Sequence, residues 1–235
     1  MTKSIMKVPL LVATLLCYLG AQERARATII PIGPGDFSAS ATLETYGTIQ
    51  TLQPVDGKTF SGVLHHFTMG GIPSNSAIID DGPGNTNHIT VANIEGPASG
   101  TLSLLFPQPE NRLGYGYAIL NTFIVLNATT VQLFDASHNL LGSLSATGSP
   151  DPFFTGGFLG VESTVPFTLA EVTFNLNAAQ AFAFDNLEFE PTAALVPEPA
   201  SLILLTTSLL GCYWWRRSGP RMHPNCGESP YAPEK

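Results

Sequence analysis

From position 28 to about position 190 the chain keeps one short rhythm, apolar and polar residues in alternation, broken by clusters of Gly, Pro, Asp and Asn. FSASATLET sets Phe37, Ala39, Ala41 and Leu43 against Ser38, Ser40, Thr42 and Glu44, the period of two that marks a half-buried strand. HITVANI places Ile89 and Val91 on one face, GTLSLLF places Leu102, Leu104 and Phe106, and EVTFNLN sets Val172, Phe174 and Leu176 against Thr173, Asn175 and Asn177. PVDGK, IDDGPGNTN, FPQPENRLG and TGSPDPF read as the turns between them, because their residues set or tolerate turn dihedrals. TTVQLFDASHNLLGSLSATG, Thr129 to Gly148, reads as a hairpin turning at Asp135 to Asn139. With no helix between the strands and no long internal repeat, the pattern predicts an all-β fold, two antiparallel sheets packed as a sandwich.

One segment breaks the rhythm. In AFAFDNLEFEP the bulky residues are Phe182 and Phe184, then Leu187 and Phe189, so their phase slips by one across Asp185-Asn186. A β-bulge there would bury all four and re-aim the Asp185 side chain; a central strand buried on both faces would also accommodate them.

Charge narrows the partners. Between Thr28 and Leu195 fourteen carboxylates face only Lys58 and Arg112, a balance of −12. Such a surface repels phosphate backbones, which excludes nucleic acid as a partner. Cys17, Cys212 and Cys226 all lie outside the central region, so its fold is expected to hold without disulfides or thiolate metal sites.

Both ends read as handling segments. Lys3 and Lys7, the apolar stretch Val8 to Ala21 and Ala25-Arg26-Ala27 form a signal peptide over residues 1–27, with small residues at Ala25 and Ala27 for signal peptidase. An uncleaved anchor and lipidation at Cys17 are weaker alternatives; Leu16 is too bulky for a lipobox. At the other end, Pro199 to Trp215 is seventeen residues without charge, about 26 Å as a helix against a bilayer core of about 30 Å. Tyr213, Trp214 and Trp215 suit the interface, and Arg216, Arg217 and Arg221 hold the tail inside. Pro197 and Pro199 keep the preceding chain extended.

These residues carry a resemblance. VPEPASLILLTTSLLGCYWWRR is similar to the PEP-CTERM sorting signal: a V-P-E-P-A-S motif, an apolar span, then arginines. GFLGVESTVPFTLAEVTFNLNAAQAFAFDNLEF, Gly157 to Phe189, resembles the closing strands of jelly-roll-like domains of secreted bacterial proteins. The resemblance implies an exosortase that cuts near the Pro-Glu-Pro, with Val196, Pro197, Glu198 and Pro199 as its recognition motif and Arg216 and Arg217 closing the signal. After Arg217 the family usually stops within a few residues, whereas this chain continues to Lys235; an uncut C-terminal anchor is the alternative.

The expected organisation is a signal peptide (1–27), a jelly-roll-like β-sandwich (28–190), a linker with the Pro-Glu-Pro motif (191–199), a single transmembrane segment with its arginines (200–217) and a cytoplasmic tail (218–235). The expected protein is exported, passes transiently through the inner membrane and serves at the cell surface or in the extracellular polysaccharide matrix without being an enzyme. No G-x-S-x-G, H-E-x-x-H or phosphate loop is present. His65 and His66 are adjacent in a strand and point to opposite faces; His88 and His138 adjoin turns and read as solvated. The alternative is a carbohydrate-binding module, with Tyr115 and Tyr117 of LGYGYAIL on one strand face as a stacking pair or as packed core. A glycoside hydrolase-like enzyme, which needs two carboxylates across a cleft, is the second alternative. The resemblance also implies a structural Ca²⁺ at Asp185, with Asp80, Asp81, Asn85 and Asn87 as a second oxygen-rich cluster or an ordinary turn.

Overall fold

The computed structural model describes residues 27–82, 86–89 and 92–191. Ala25, the sorting motif Val196 to Pro199, the apolar run, Arg216, Arg217, the three cysteines, Asn85 and Val91 lie outside the described residues; Ala27 is the first of them. Among the described residues no helix is long and apolar enough to cross a membrane.

Twelve strands make up these residues: β1 (Ile29–Ile32), β2 (Thr42–Glu44), β3 (Lys58–Phe60), β4 (Val63–Met69), β5 (Ile72–Pro73), β6 (Ile78–Asp80), β7 (Asn93–Pro97), β8 (Gly100–Ile119), β9 (Val125–Phe134), β10 (Leu140–Pro150), β11 (Thr155–Phe174) and β12 (Ala181–Pro191). The ladders are antiparallel and follow the order β10-β9-β11-β8-β12-β7-β6, with β4 also on β8, β1 on β11 and β2 on β12. The predicted all-β, antiparallel class is the observed one.

Two long strands create the layers. FPQPENRLG, read as a turn, is instead the middle of β8. Leu105 pairs with Leu169 but Glu110 with Phe167, and Arg112 with Glu162, so β8 and β11 each carry a large irregularity at mid-length. Pro107 and Pro109 have no N–H to give a ladder, and the chain there bends rather than reverses. The first half of β8 therefore pairs with β4 and the second with β12. The two halves face each other through aromatic side chains. Phe182 of β12 stacks on Phe174 of β11 with centroids 4.0 Å apart, and Phe106 meets Phe167 and Phe189 at 5.5 and 5.3 Å. Each such pair adds about 0.5–1.5 kcal/mol beyond the area it buries.

His65 sits inside this core, its Nε2 3.0 Å from Tyr46 Oη and its Nδ1 3.0 Å from the Val63 carbonyl. Its neighbour His66 points outward to Asp56 at 3.1 Å. The histidines take opposite faces, as their adjacency requires.

The hairpin forms where expected, between β9 and β10. The Asp135 carboxylate accepts from the amides of Ser137 (2.8 Å) and Asn139 (2.9 Å), and His138 takes a left-handed φ of 59°. Three strand expectations fail in part, two of them at Ser and Asn. In FSASATLET only Thr42–Glu44 pairs, and Leu43 is 54% exposed. The Ser38 hydroxyl and carbonyl take the amides of Ser40 and Ala41, so the backbone turns on itself. Asn175 likewise draws in the amides of Asn177 and Ala178, ending β11 before Leu176. In HITVANI the strand begins only at Asn93, and Ile89 packs on the outer face of a sheet instead.

At one end, large apolar side chains stand in solvent: Leu120, Phe123, Ile124, Leu126, Phe153 and Leu176, between 57% and 74% exposed. Their loops are tied together, with Thr155 N–H donating to Asn121 O (2.7 Å), Asn121 Nδ2 to Ala178 O (2.7 Å) and Asn175 Nδ2 to Leu126 O (3.1 Å). β12 starts at this end, where Leu120 N–H donates to Ala181 O, and runs away from it to Pro191.

Candidate functional site

The second half of β8 alternates Leu113, Tyr115, Tyr117 and Ile119 with Gly114, Gly116 and Ala118. The large residues are at most 1% exposed and form the core; the small ones floor the outer face. A Cβ on Gly114 would lie 2.5 Å from Phe158 Cζ and 2.9 Å from Phe37 Cζ, and one on Gly116 would overlap the His88 carbonyl oxygen. The glycines are needed because two aromatic rings sit directly over Gly114 and main chain crosses over Gly116.

What crosses is the segment 86–89, laid over β8 and β12 as a strap. His88 Nδ1 lies 2.7 Å from Asp151 Oδ2, Asn87 Nδ2 donates to Asp151 Oδ1, and Ile89 N–H donates to Thr86 Oγ1 at 3.0 Å. Ile89 is buried against Ala118 and Ala183, with Phe154 packed beside them. From below, Asn186 Nδ2 donates to His88 O at 2.9 Å.

That last contact exists because of the bulge. Asp185 pairs with Gly116 and Glu188 with Gly114, so three steps on β12 oppose two on β8. The extra residue is Asn186, whose φ of 49° is one that asparagine tolerates. The predicted phase slip is therefore a bulge, and it turns the Asn186 amide toward the strap. Asp185 stays buried, its Oδ1 accepting the Asn186 N–H at 2.6 Å. No group of three or more His, Cys, Asp or Glu side chains that could hold a metal ion occurs among the described residues. Asp185 is thus not part of a carboxylate cluster there; a Ca²⁺ at this residue would have to take most of its six to eight oxygens from main-chain carbonyls and water. Asp81 N–H donates to Asp80 Oδ1 at 2.8 Å, a local turn contact, while Asn87 belongs to the strap.

The strap divides the trough into two cavities. The polar one, about 200 Å³, is lined by Phe158, Asn87, His88, Asn186 and Glu188, with Gly116 beneath and Leu43 at its edge. His88 uses only Nδ1 on Asp151, which leaves Nε2 without a partner among the described residues. Desolvation, followed by the neighbouring charge of Glu190, holds the Glu188 carboxyl above the usual carboxylate range. The apolar cavity, about 240 Å³, is walled by the side chains of Ala118, Leu120, Phe154 and Ala183, with Glu95 at its margin. At the far end of the face Arg112 bridges Glu162 and Glu190, each at 3.3 Å.

Tyr115 and Tyr117 share a face as expected, but it is the inner one. They are 0% and 1% exposed, their rings 6.4 Å apart, and Tyr115 Oη lies 2.9 Å from Thr129 Oγ1. Burial, then the Asp151 charge, pushes the Tyr117 phenol up to about 12. A stacking platform must be open to its ligand, so the glycan assignment to this pair is corrected: the two tyrosines are core. His88 is corrected too, from a solvated turn residue to the pin of the strap. Phe158, Asn186, Glu188 and Glu95 are the residues that the alternation of the sequence passed over.

No family model and no curated protein matches the chain. Among solved structures, a CBM29-2 module from a study of ligand recognition by family 29 carbohydrate-binding modules is 11% identical, covering 68% of this chain and 99% of its own, with a TM-score of 0.36. The K2 cleaved adhesin domain of Lys-gingipain is 9% identical over 64% of this chain and 99% of that one, with a TM-score of 0.40. An enzymatically active domain of the Bacteriophage CBA120 tailspike protein 4 is 15% identical over 55% of this chain and 19% of that one, at 0.33. At such scores none of them determines what this chain binds.

Proposed function

We propose that the chain is an exported, non-enzymatic, jelly-roll-like β-sandwich that binds a glycan of the extracellular polysaccharide through its polar cavity. The observation that carries this reading is the meeting of one half-buried aromatic ring, Phe158, with two amides, an imidazole and a carboxyl around about 200 Å³. A sugar offers an apolar C–H face and hydroxyls at its edge; a ring takes the first, and Asn, His and Glu side chains take the second. The balance of −12 between Thr28 and Leu195 favours a neutral or cationic glycan over an anionic one.

Delivery belongs to the same reading. The order of Val196-Pro197-Glu198-Pro199, apolar run and Arg216-Arg217 supports passage through the inner membrane and cutting by an exosortase. Mass spectrometry of the native extracellular protein is then expected to find a terminus near Pro199, and an intact Lys235 would overturn it.

A glycan array probed with the full chain in detergent tests the binding. Retention of a neutral or amino-sugar polymer is expected, weakened at least tenfold by Phe158→Ala and by Glu188→Gln, and unchanged by Tyr115→Phe. No retained glycan, or binding indifferent to both cavity substitutions, would refute the reading.

A further inference from the structure

We infer that the apolar cavity on the other side of the strap is a second binding site, for a small organic cation: a primary ammonium on an apolar body. The inference does not rest on the glycan reading, since it concerns different side chains and a different ligand chemistry.

Glu95 lies on β7, opposite Ile78 of β6 and Ala183 of β12. Ile94 before it is wholly buried in the core, so Glu95 is on the outer face, at the edge of a cavity whose side-chain walls include Ala118, Leu120, Phe154 and Ala183. The chain closes over one carboxylate oxygen: a Cβ on Gly82 would stand 2.6 Å from Glu95 Oε1, and that oxygen is buried with no hydrogen-bond partner among the described residues. Leaving a desolvated acceptor unmatched is costly.

The described chain has nothing of its own to offset it. The nearest charge is Asp80, of the same sign, and desolvation followed by that charge holds the Glu95 carboxyl above its usual range. Lys58 and Arg112 are the sole Lys and Arg among the described residues. Arg112 is committed to Glu162 and Glu190, and Lys58 lies on β3, against β4. An outside cation is therefore the group that this corner lacks. A metal ion is a poor choice, because hydrocarbon walls offer it no further oxygens. An ammonium in the cavity instead brings charge-assisted hydrogen bonds to the other, less enclosed oxygen of the carboxylate and so offsets the charge of both, while its apolar remainder fills the space beside Leu120, Phe154 and the alanines. The acidic field of the domain concentrates such cations at the surface.

Titration calorimetry of the full chain in detergent at neutral pH, with benzylamine, benzyl alcohol and benzoate as probes, tests this. Benzylamine is expected to bind at least tenfold more tightly than the alcohol, and benzoate not measurably. Glu95→Gln, nearly isosteric, is expected to erase the advantage of the amine, and Ala183→Leu, which fills the cavity, to abolish binding of both. Equal binding of amine and alcohol to the wild type, or an unaltered preference in Glu95→Gln, would overturn the inference. Unaltered binding in Ala183→Leu would place the amine outside the cavity and overturn it too.

Discussion

Replacing Gly116 with alanine is expected to lift the strap from the sheet. The new methyl would collide with the His88 carbonyl, and at 2.9 Å with the carbonyl carbon, main-chain atoms that cannot swing aside like a side-chain tip. Moving them breaks the Asn186–His88 bond and strains the His88–Asp151 bond, each worth about 1 kcal/mol net. Uncovering Ile89 adds about 1.5–3 kcal/mol. Alanine returns about 0.4–1 kcal/mol by restricting the unfolded chain, which leaves a net loss of about 2–4 kcal/mol. For a domain of this size that lowers Tm by roughly 5–15 °C. Thermal melts followed by far-UV circular dichroism measure it, with Gly35→Ala as control because no atom lies within 4 Å of a Cβ there. A Gly116→Ala protein that melts like the Gly35→Ala control would refute the strap as a structural element.

Glu110 is wholly buried, and burial, opposed in part by a side-chain hydrogen bond from Gln108, raises its carboxyl from 4.5 to about 7. The folded state thus holds a proton that the unfolded state has lost, and stability is expected to fall between about pH 4.5 and pH 7 by up to about 3 kcal/mol. His65, lowered to about 4 by burial, slopes the other way as pH falls below 6.5. The difference between urea curves of wild type and Glu110→Gln isolates the acid: the variant is expected to be more stable at pH 8 and equal near pH 4. A variant less stable at pH 8 would exclude the uncompensated charge. Chelation by EDTA is expected to leave Tm unchanged, while Asp185→Asn costs about 1–2 kcal/mol through the bulge; an EDTA-induced fall absent from Asp185→Asn would instead place calcium at that residue.

The sequence made some features legible because their causes are local. The Asp135 turn and the slip at Asp185-Asn186 depend on residues a few positions apart, and both stand where the pattern put them. Alternation misled where a short polar side chain competes for the backbone, as Ser38 and Asn175 do. It was silent on sidedness: Gly-Tyr-Gly-Tyr establishes that the tyrosines share a face, not which face. The available clue was the glycines, whose missing side chains mark where another segment approaches. The cavities were not legible, because His88 meets Asp151 and Asn186 at separations of 63 and 98 residues. Position along the chain carries no trace of such a meeting.

The direction of β12 has a consequence for handling the protein. Eleven residues at about 3.3 Å each carry β12 some 36 Å from the greasy rim around Leu120 to Pro191. A label or surface coupling placed near Pro191 therefore leaves the rim uncovered, whereas one placed in the loop of Asn121 to Phe123 masks it. Two copies meeting rim to rim would hide Leu120, Phe123 and Phe153 from water at once, so dilution and mild detergent are the conditions that keep a preparation dispersed.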